Sequence, residues 1–312
     1  HLSIRRQRQM CIRDRDNWLL QIECFDPHEP FHSPKRFRNL YPTDYNGPIL
    51  DWPVYERVKE PPEEISEIRA NYASLVTMVD EYFGKLLDFF DTHGLWDDTA
   101  IIVTTDHGFL LGEHDWWAKN RMPVYDEIAH IPLMIYHPDF LNQKGQRREA
   151  LTQTIDIMPT LLEMFDIQAP VDVSGKSLMT TLGNDQKIRN SAIFGYFGSS
   201  CNITDGRYTY FRYPEKMSAD GLYEYTLMPT RMTSRFSIEE LAGATLSDPF
   251  SFTKGLKLLK LKPKVSEDGV PLEVQGMSFE DTRSQLYDVL KDPKQEAPFE
   301  DPTIVNLSLI HI

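Results

Sequence analysis

"TAIIVTTDHGFLLGEHDWWAKN", Thr99 to Asn120, runs from an apolar stretch straight into a segment dense with ionisable side chains. Thr99 to Thr105 reads as a strand covered on both faces, because its apolar and β-branched residues do not alternate with polar ones. Asp106, His107, Glu113, His114 and Lys119 follow directly. Ligands of open α/β sheets sit beyond the carboxyl ends of the strands, so a site is expected here. Adjacent Asp106 and His107 would point to opposite faces of a straight strand. They converge only if the backbone bends at once, and Gly108 is expected to supply that freedom. One carboxylate oxygen and one imidazole nitrogen make half of a divalent-metal shell. On spacing alone, a turn-capping aspartate beside a surface histidine is the commoner meaning of so frequent a dipeptide. Lys119, with Trp116, Trp117 and Tyr125 nearby, either snorkels among aromatics or holds its charge near an anionic oxygen in a partly dry site. Glu113 and His114 read as structural hydrogen-bonding groups.

Upstream, "PPEEISEIRANYASLVTMVDEYFGKLLDFFDTHG" carries apolar residues at Ile65, Ile68, Tyr72, Leu75, Val79, Tyr82, Leu86 and Phe90. Steps of three and four make this one face of a long helix, opened by Pro62 and two glutamates and closed before Gly94. Tyr82, Phe83, Phe89 and Phe90 are expected in the core. Before it, "NWLLQIECF" (Asn17 to Phe25) has the composition of another buried strand, and the polar turn "DPHEPFHSP" follows. His28, held stiffly between Pro27 and Pro30, suits either a positioned ligand or acid, or a rigid surface turn. Loops leaving neighbouring parallel strands meet at one edge, which would bring His28, Asp106 and His107 to a common cleft.

Downstream, "IPLMIYH" (Ile131 to His137) is a further strand. "TQTIDIMPTLLEMF" reads as a turn and a helix with Asp156 as a structural N-cap. Strand and helix in alternation predict a parallel or mostly parallel sheet. Beyond about residue 190 the texture changes to short aromatic, β-prone runs such as "SAIFGYFG", "RYTYFRY" and "GLYEYTL", with turn signals between them and one helix, "SIEELAG". These suit a small antiparallel sheet.

Apolar residues make up 41% of the 312, ample for a core. Lys plus Arg number 33 against 47 Asp plus Glu, a formal net charge of −14. Such a balance argues against a nucleic-acid backbone as partner, which needs a basic footprint. No apolar run approaches the roughly 20 residues that span a bilayer. The three cysteines, Cys11, Cys24 and Cys201, have no metal-like spacing.

"FDPHEPF", "GLWDDTAIIVTTDHGFLLGEHDWWAKN", "HIPLMIY" and "TIDIMPTLL" resemble, in that order, the sulfatase family of the alkaline phosphatase superfamily. "QLYDVLKDPKQEAPF" resembles that family's closing Leu-Tyr-Asp…Asp-Pro motif, so the likeness runs over about residues 17–305. It implies an alkaline phosphatase-like α/β fold, truncated, whose mostly parallel sheet is sandwiched by helices and followed by a small C-terminal antiparallel α+β subdomain. Residues 16–190 would be a partial catalytic domain and 191–305 the subdomain, with 1–15 and 306–312 as non-native ends. The activity implied is metal-dependent hydrolysis of small-molecule sulfate esters, carbohydrate or aryl, by a formylglycine nucleophile. By motif, Asp106 and His107 resemble metal ligands, for Ca2+ first and Mg2+, Mn2+ or Zn2+ otherwise. Lys119 resembles the sulfate-contacting lysine. His28 resembles the sulfate-contacting histidine and a candidate for handling the leaving-group proton.

The family's nucleophile motif, Cys or Ser-x-Pro-x-Arg, is absent from these residues: Cys11 is followed by "IRDR", Cys24 by "FDPH" and Cys201 by "NITD". The chain therefore reads as a C-terminal fragment that turns over nothing by itself and binds metal weakly. A phosphodiesterase or phosphonate monoester hydrolase of the same superfamily is the alternative chemistry, and a non-catalytic scaffold on this fold the alternative class. Neither the oligomeric state nor the compartment is fixed by these residues.

Overall fold

A computed structural model describes residues 17–119, 123–195, 200–214, 218–228, 230, 234–265, 267 and 283–309. The basic N-terminal run and Cys11 lie outside the described residues. Two helices open the described chain, α1 (Lys35–Arg38) and the long α2 (Pro62–His93). The ends of α2 follow from its sequence. Pro62 starts it, Glu63 and Glu64 face the positive end of the helix dipole, and Gly94 ends it at φ 64° with its N–H on the Phe90 carbonyl. Ile68 and Leu75 are buried against Phe31, Trp117 and Ala118. Each such side chain contributes about 1.5–3 kcal/mol of burial free energy.

The last turns of α2 depart from expectation. Phe90 is buried and meets Trp96 at 5.0 Å, whereas Tyr82 and Phe89 are 56% and 51% exposed. Helical periodicity locates an apolar face, but it does not encode how far along that face a neighbour lies. Asn17 to Phe25 departs further: it forms no strand, and Leu19, Leu20, Ile22 and Phe25 are exposed.

The next segment runs β1 (Ile101–Thr104), a hairpin of β2 (Leu110–Leu111) and β3 (Trp117–Ala118), α3 (Asp126–Ala129) and β4 (Leu133–Tyr136). β1 and β4 pair antiparallel, with Thr104 opposite Leu133 and Ile101 opposite Tyr136. A parallel pair was expected, and the connection explains the difference. Parallel neighbours need a crossover that carries the chain back along the sheet. Here the connection holds a hairpin and a four-residue helix, so the chain re-enters at the end where it left. The described residues between Thr104 and Leu133 are thereby held at one end of the pair. The strands themselves are half-buried, and Met134 is exposed.

Two helices follow, α4 (Ile157–Met164) and α5 (Met179–Asn184). Asp156, fully buried, accepts the Gln153 and Lys176 N–H groups and pairs with Arg189. It is structural, though it caps the 3-10 turn Thr154–Asp156 rather than α4.

The remaining elements are β5 (Ala192–Gly195), β6 (Cys201–Thr204), β7 (Tyr208–Arg212), β8 (Glu224–Thr226), α6 (Ile238–Ala242), β9 (Thr245–Leu246), β10 (Leu259–Leu261), β11 (Gln285–Asp288) and α7 (Pro302–Leu309). They build two antiparallel sheets, ordered β11-β7-β6-β5 and β8-β10-β9. Phe211 of β7 and Tyr287 of β11 share a core cluster with Leu110, Trp116, Val124 and Ile128. The four-stranded sheet therefore buttresses the hairpin and α3. Cys24 and Cys201 are free thiols.

Candidate active site

Three segments are laid against α2 and against each other. The loop carrying His28 is pinned by Phe31, whose N–H reaches the Asp51 carbonyl at 2.6 Å, and by buried Ser33, 2.8 Å from Ser74 of α2. The segment around Val58 runs beside the β2–β3 hairpin, with Val58 N–H on the Asp115 carbonyl and Trp117 N–H on the Glu56 carbonyl. Trp117 also donates its indole N–H to Glu60 at 2.7 Å. The hairpin places His114, Asp115 and Ala118 at φ 52°, 59° and 78°. Left-handed backbone costs an ordinary residue about 1–2 kcal/mol and persists where its surroundings over-determine it. The strained turn delivers Lys119 into a place only 5% exposed.

There Lys119 meets a residue that the sequence reading passed over. Glu29, fully buried, brings Oε2 to 3.2 Å from Lys119 Nζ and 3.4 Å from His28 Nδ1. Its other oxygen, Oε1, accepts the Tyr55 hydroxyl. Burial pushes the Glu29 pKa up, but the Tyr55 hydroxyl, backbone hydrogen bonding and the Lys119 ammonium outweigh it, so the carboxyl titrates below its ordinary value of 4.5. The Tyr55 hydroxyl is driven up by burial and by the carboxylate it serves. A glutamate between a histidine and a proline in a polar turn looks like any solvated acid. The available signal was its place in a stretch that must also bury Phe31.

His28 Nδ1 also lies 2.7 Å from the Glu29 carbonyl. A carbonyl only accepts, so Nδ1 carries a proton and Nε2 is the nitrogen left for other chemistry. The ring is about one-third exposed.

His107 is held in the same way: Nδ1 donates to the Gly108 carbonyl at 2.9 Å, and Nε2 lies 3.5 Å from Asp106 Oδ2. Histidine ligands commonly donate their second nitrogen to such a group. The Nε2 lone pair and the carboxylate oxygen are thus spaced to share one cation. In donor chemistry the pair fits a divalent metal. In number it does not complete a shell, and among the described residues no group of three His, Cys, Asp or Glu side chains gathers to do so. Gly108 is not among the residues in the left-handed region. It is required by close approach, since a Cβ there would lie 1.8 Å from the Glu127 carbonyl oxygen.

The structure joins His28 to Lys119 through Glu29, and Asp106 to His107 directly. Among the described residues no hydrogen bond or ion pair joins one couple to the other. Their link is Phe109, two residues past His107, which packs on Phe31 at 5.4 Å and lies 5.8 Å from Lys119 Nζ. Glu113 and His114 make structural contacts: Glu113 accepts the Leu111 N–H, and His114 stacks on Tyr125 at 3.6 Å and reaches Glu127 at 3.3 Å. Concavities of about 510 and 530 Å³ occur elsewhere, near Glu163 and near Arg38, and neither is lined by these groups.

A family model for sulfatases matches residues 9–167, about half of the chain. The chain belongs to the sulfatase family. A second model, for the C-terminal part of N-sulphoglucosamine sulphohydrolase, matches residues 112–244. N-acetylglucosamine-6-O-sulfatase from Bacteroides thetaiotaomicron is 35% identical over 131 residues, 41% of this chain and 23% of that protein. Arylsulfatase K from Xenopus laevis is 28% identical over 269 residues, 80% of this chain and 46% of that one. The chain thus spans less than half the length of these curated relatives. Phosphonate monoester hydrolase of Agrobacterium radiobacter superposes with a TM-score of 0.59 at 18% identity, over 97% of this chain and 56% of that one. An enzyme solved with its substrate D-glucosamine-2-N,6-O-disulfate superposes with a TM-score of 0.53 at 19% identity, over 80% and 39%. These two establish the fold, mixed α/β and alkaline phosphatase-like. Sulfatases are in general metal-dependent.

Proposed function

We propose that the complete protein hydrolyses small-molecule sulfate monoesters, carbohydrate sulfates before aryl sulfates, at a centre that includes His28, Lys119, Asp106 and His107. The observation that carries this is the buried Glu29 carboxylate holding both His28 and Lys119, two groups far apart in sequence that we assign to one sulfate by their resemblance to sulfatase motifs. The sugar preference rests on the N-acetylglucosamine-6-O-sulfatase relative.

Asp106 and His107 would hold one side of a divalent cation, which we assign as Ca2+ ahead of Mg2+, Mn2+ or Zn2+. Bound, such an ion supplies fixed positive charge toward the sulfate oxygens. The formylglycine nucleophile is assigned to chain outside these residues. Lys119 contributes an ammonium in a place where little water screens it, so its attraction for an oxyanion is stronger than at a wet surface. His28 exchanges the proton of the leaving oxygen at Nε2: when protonated there, it donates as the sulfur–oxygen bond breaks, giving a neutral alcohol instead of an alkoxide.

Steady-state kinetics of the complete protein on glucosamine 6-sulfate, 4-nitrophenyl sulfate and bis(4-nitrophenyl) phosphate test the reading. The sulfate monoesters are expected to show the higher kcat/KM. Preference for the phosphodiester would instead favour the phosphodiesterase or phosphonate hydrolase chemistry. Residues 1–312 alone are expected to release no 4-nitrophenol from its sulfate above blank, because they contain no Cys or Ser-x-Pro-x-Arg sequence. Turnover by that polypeptide would refute the assignment of the nucleophile.

A further inference from the structure

We infer that Glu29 is a positioning residue for this reaction, setting the separation of His28 and Lys119 through a single oxygen atom; the inference rests on the reading of the site just given. His28 Nδ1 and Lys119 Nζ do not meet two different oxygens. Both approach Oε2, at 3.4 and 3.2 Å. Tyr55 holds Oε1, so the carboxylate is fixed at both ends of its plane and cannot rotate to favour one partner. It is fully buried, as is Phe31 two residues on, and neither can shift without opening the packing against α2 and Trp117.

Two consequences follow for the chemistry. Glu29 fixes where the imidazole sits relative to the ammonium, so both can address one tetrahedral anion without being reordered at each turnover. It also faces the Nδ1 edge of the ring, 3.4 Å away, and so fixes the direction of Nε2, the nitrogen that serves as donor. Removing the Glu29 charge should therefore hurt proton donation more than sulfate binding. Esters whose leaving oxygen needs that proton should suffer most.

The test compares Glu29→Gln with wild type in the complete protein, on 4-nitrophenyl sulfate, whose phenolate leaves readily, and on glucosamine 6-sulfate, whose alkoxide does not. The expected result is a loss in kcat on the sugar sulfate at least about tenfold larger than on the nitrophenyl ester, part of the 10²–10⁴-fold that general acid catalysis supplies. KM should change little. Tyr55→Phe, which keeps the carboxylate but releases Oε1, is expected to shift the same ratio in the same direction by less, and it carries the test if Glu29→Gln folds poorly. Equal losses on both esters, or none, in a folded variant would overturn the inference and leave a merely structural glutamate. His28→Ala is the separating control. If it abolishes turnover of the sugar sulfate while Glu29→Gln keeps the wild-type ratio, the role of Glu29 alone falls. If His28→Ala is fully active, the reading of the site falls and the positioning role with it.

Discussion

Lys119→Met is expected to destabilise residues 1–312 by about 3–5 kcal/mol, the usual result of removing one partner from a buried ion pair. The cause is what remains. Glu29 is fully buried, and without Lys119 its charge keeps only the Tyr55 hydroxyl, the His28 ring and backbone as company. Adding Glu29→Gln to Lys119→Met should recover part of the loss, because a neutral amide no longer needs a counter-ion. Chemical denaturation of the two single variants and the double variant measures the coupling. Simple additivity would mean that the 3.2 Å contact does not persist in solution.

The same pair predicts the sign of an acid response. Glu29 has a folded pKa below its ordinary value of 4.5. Its contribution is therefore complete above about that pH and is lost as pH falls through the lower, folded value. The wild-type midpoint should drop on acidification below 4.5 more steeply than that of Glu29→Gln. Parallel slopes would show that the carboxyl is not specially stabilised.

Gly108→Ala is the second large effect expected. The new Cβ would lie 1.8 Å from the Glu127 carbonyl oxygen and 2.9 Å from its carbon. Neither is a side chain that swings away, and the Gly108 N–H is itself bonded to the Ile128 carbonyl at 2.9 Å. Overpacking of this kind costs about 1–3 kcal/mol and more where backbone must move, so a loss at or above the upper figure is expected in denaturant titration. The displacement would also separate α3 from the loop that bears Asp106 and His107. Gly84→Ala is the matched control: its Cβ meets nothing within 4 Å in mid-α2, and it should gain about 0.5–1 kcal/mol. A neutral Gly108→Ala would refute the close approach.

How legible this was in the sequence depended on whether a feature is local. α2 was readable to within a residue, since its period, Pro62 and Gly94 are properties of the segment itself. The antiparallel strands beyond residue 190 were readable because short aromatic runs and turn dipeptides need no distant partner to declare themselves. The direction of β4 against β1 was not, because a strand's composition is the same whichever way its neighbour runs. Asn17 to Phe25 has a buried strand's composition without being buried, and Phe89 an apolar position without a cover. At the candidate site, His28, Asp106, His107 and Lys119 were proposed from their loops, whereas Glu29 and Tyr55 were not. Their importance arises only when one oxygen meets Lys119, ninety positions away, and the other meets Tyr55. Gly108 was singled out for its backbone freedom, but only the packed α3 shows that close approach is what it provides.

The most direct measurement is kcat/KM of the complete protein and its His28→Ala variant on a sulfate monoester, with the unfolding midpoint of each. Because His28 is about one-third exposed and the aromatic ring it meets, Phe25, is itself exposed, the midpoint should move little. The expected result is a fall in kcat/KM of about 10² or more, the contribution of a positioned acid. Unchanged turnover in the folded variant would contradict the claim that His28 and Lys119, joined through Glu29, act together on one sulfate.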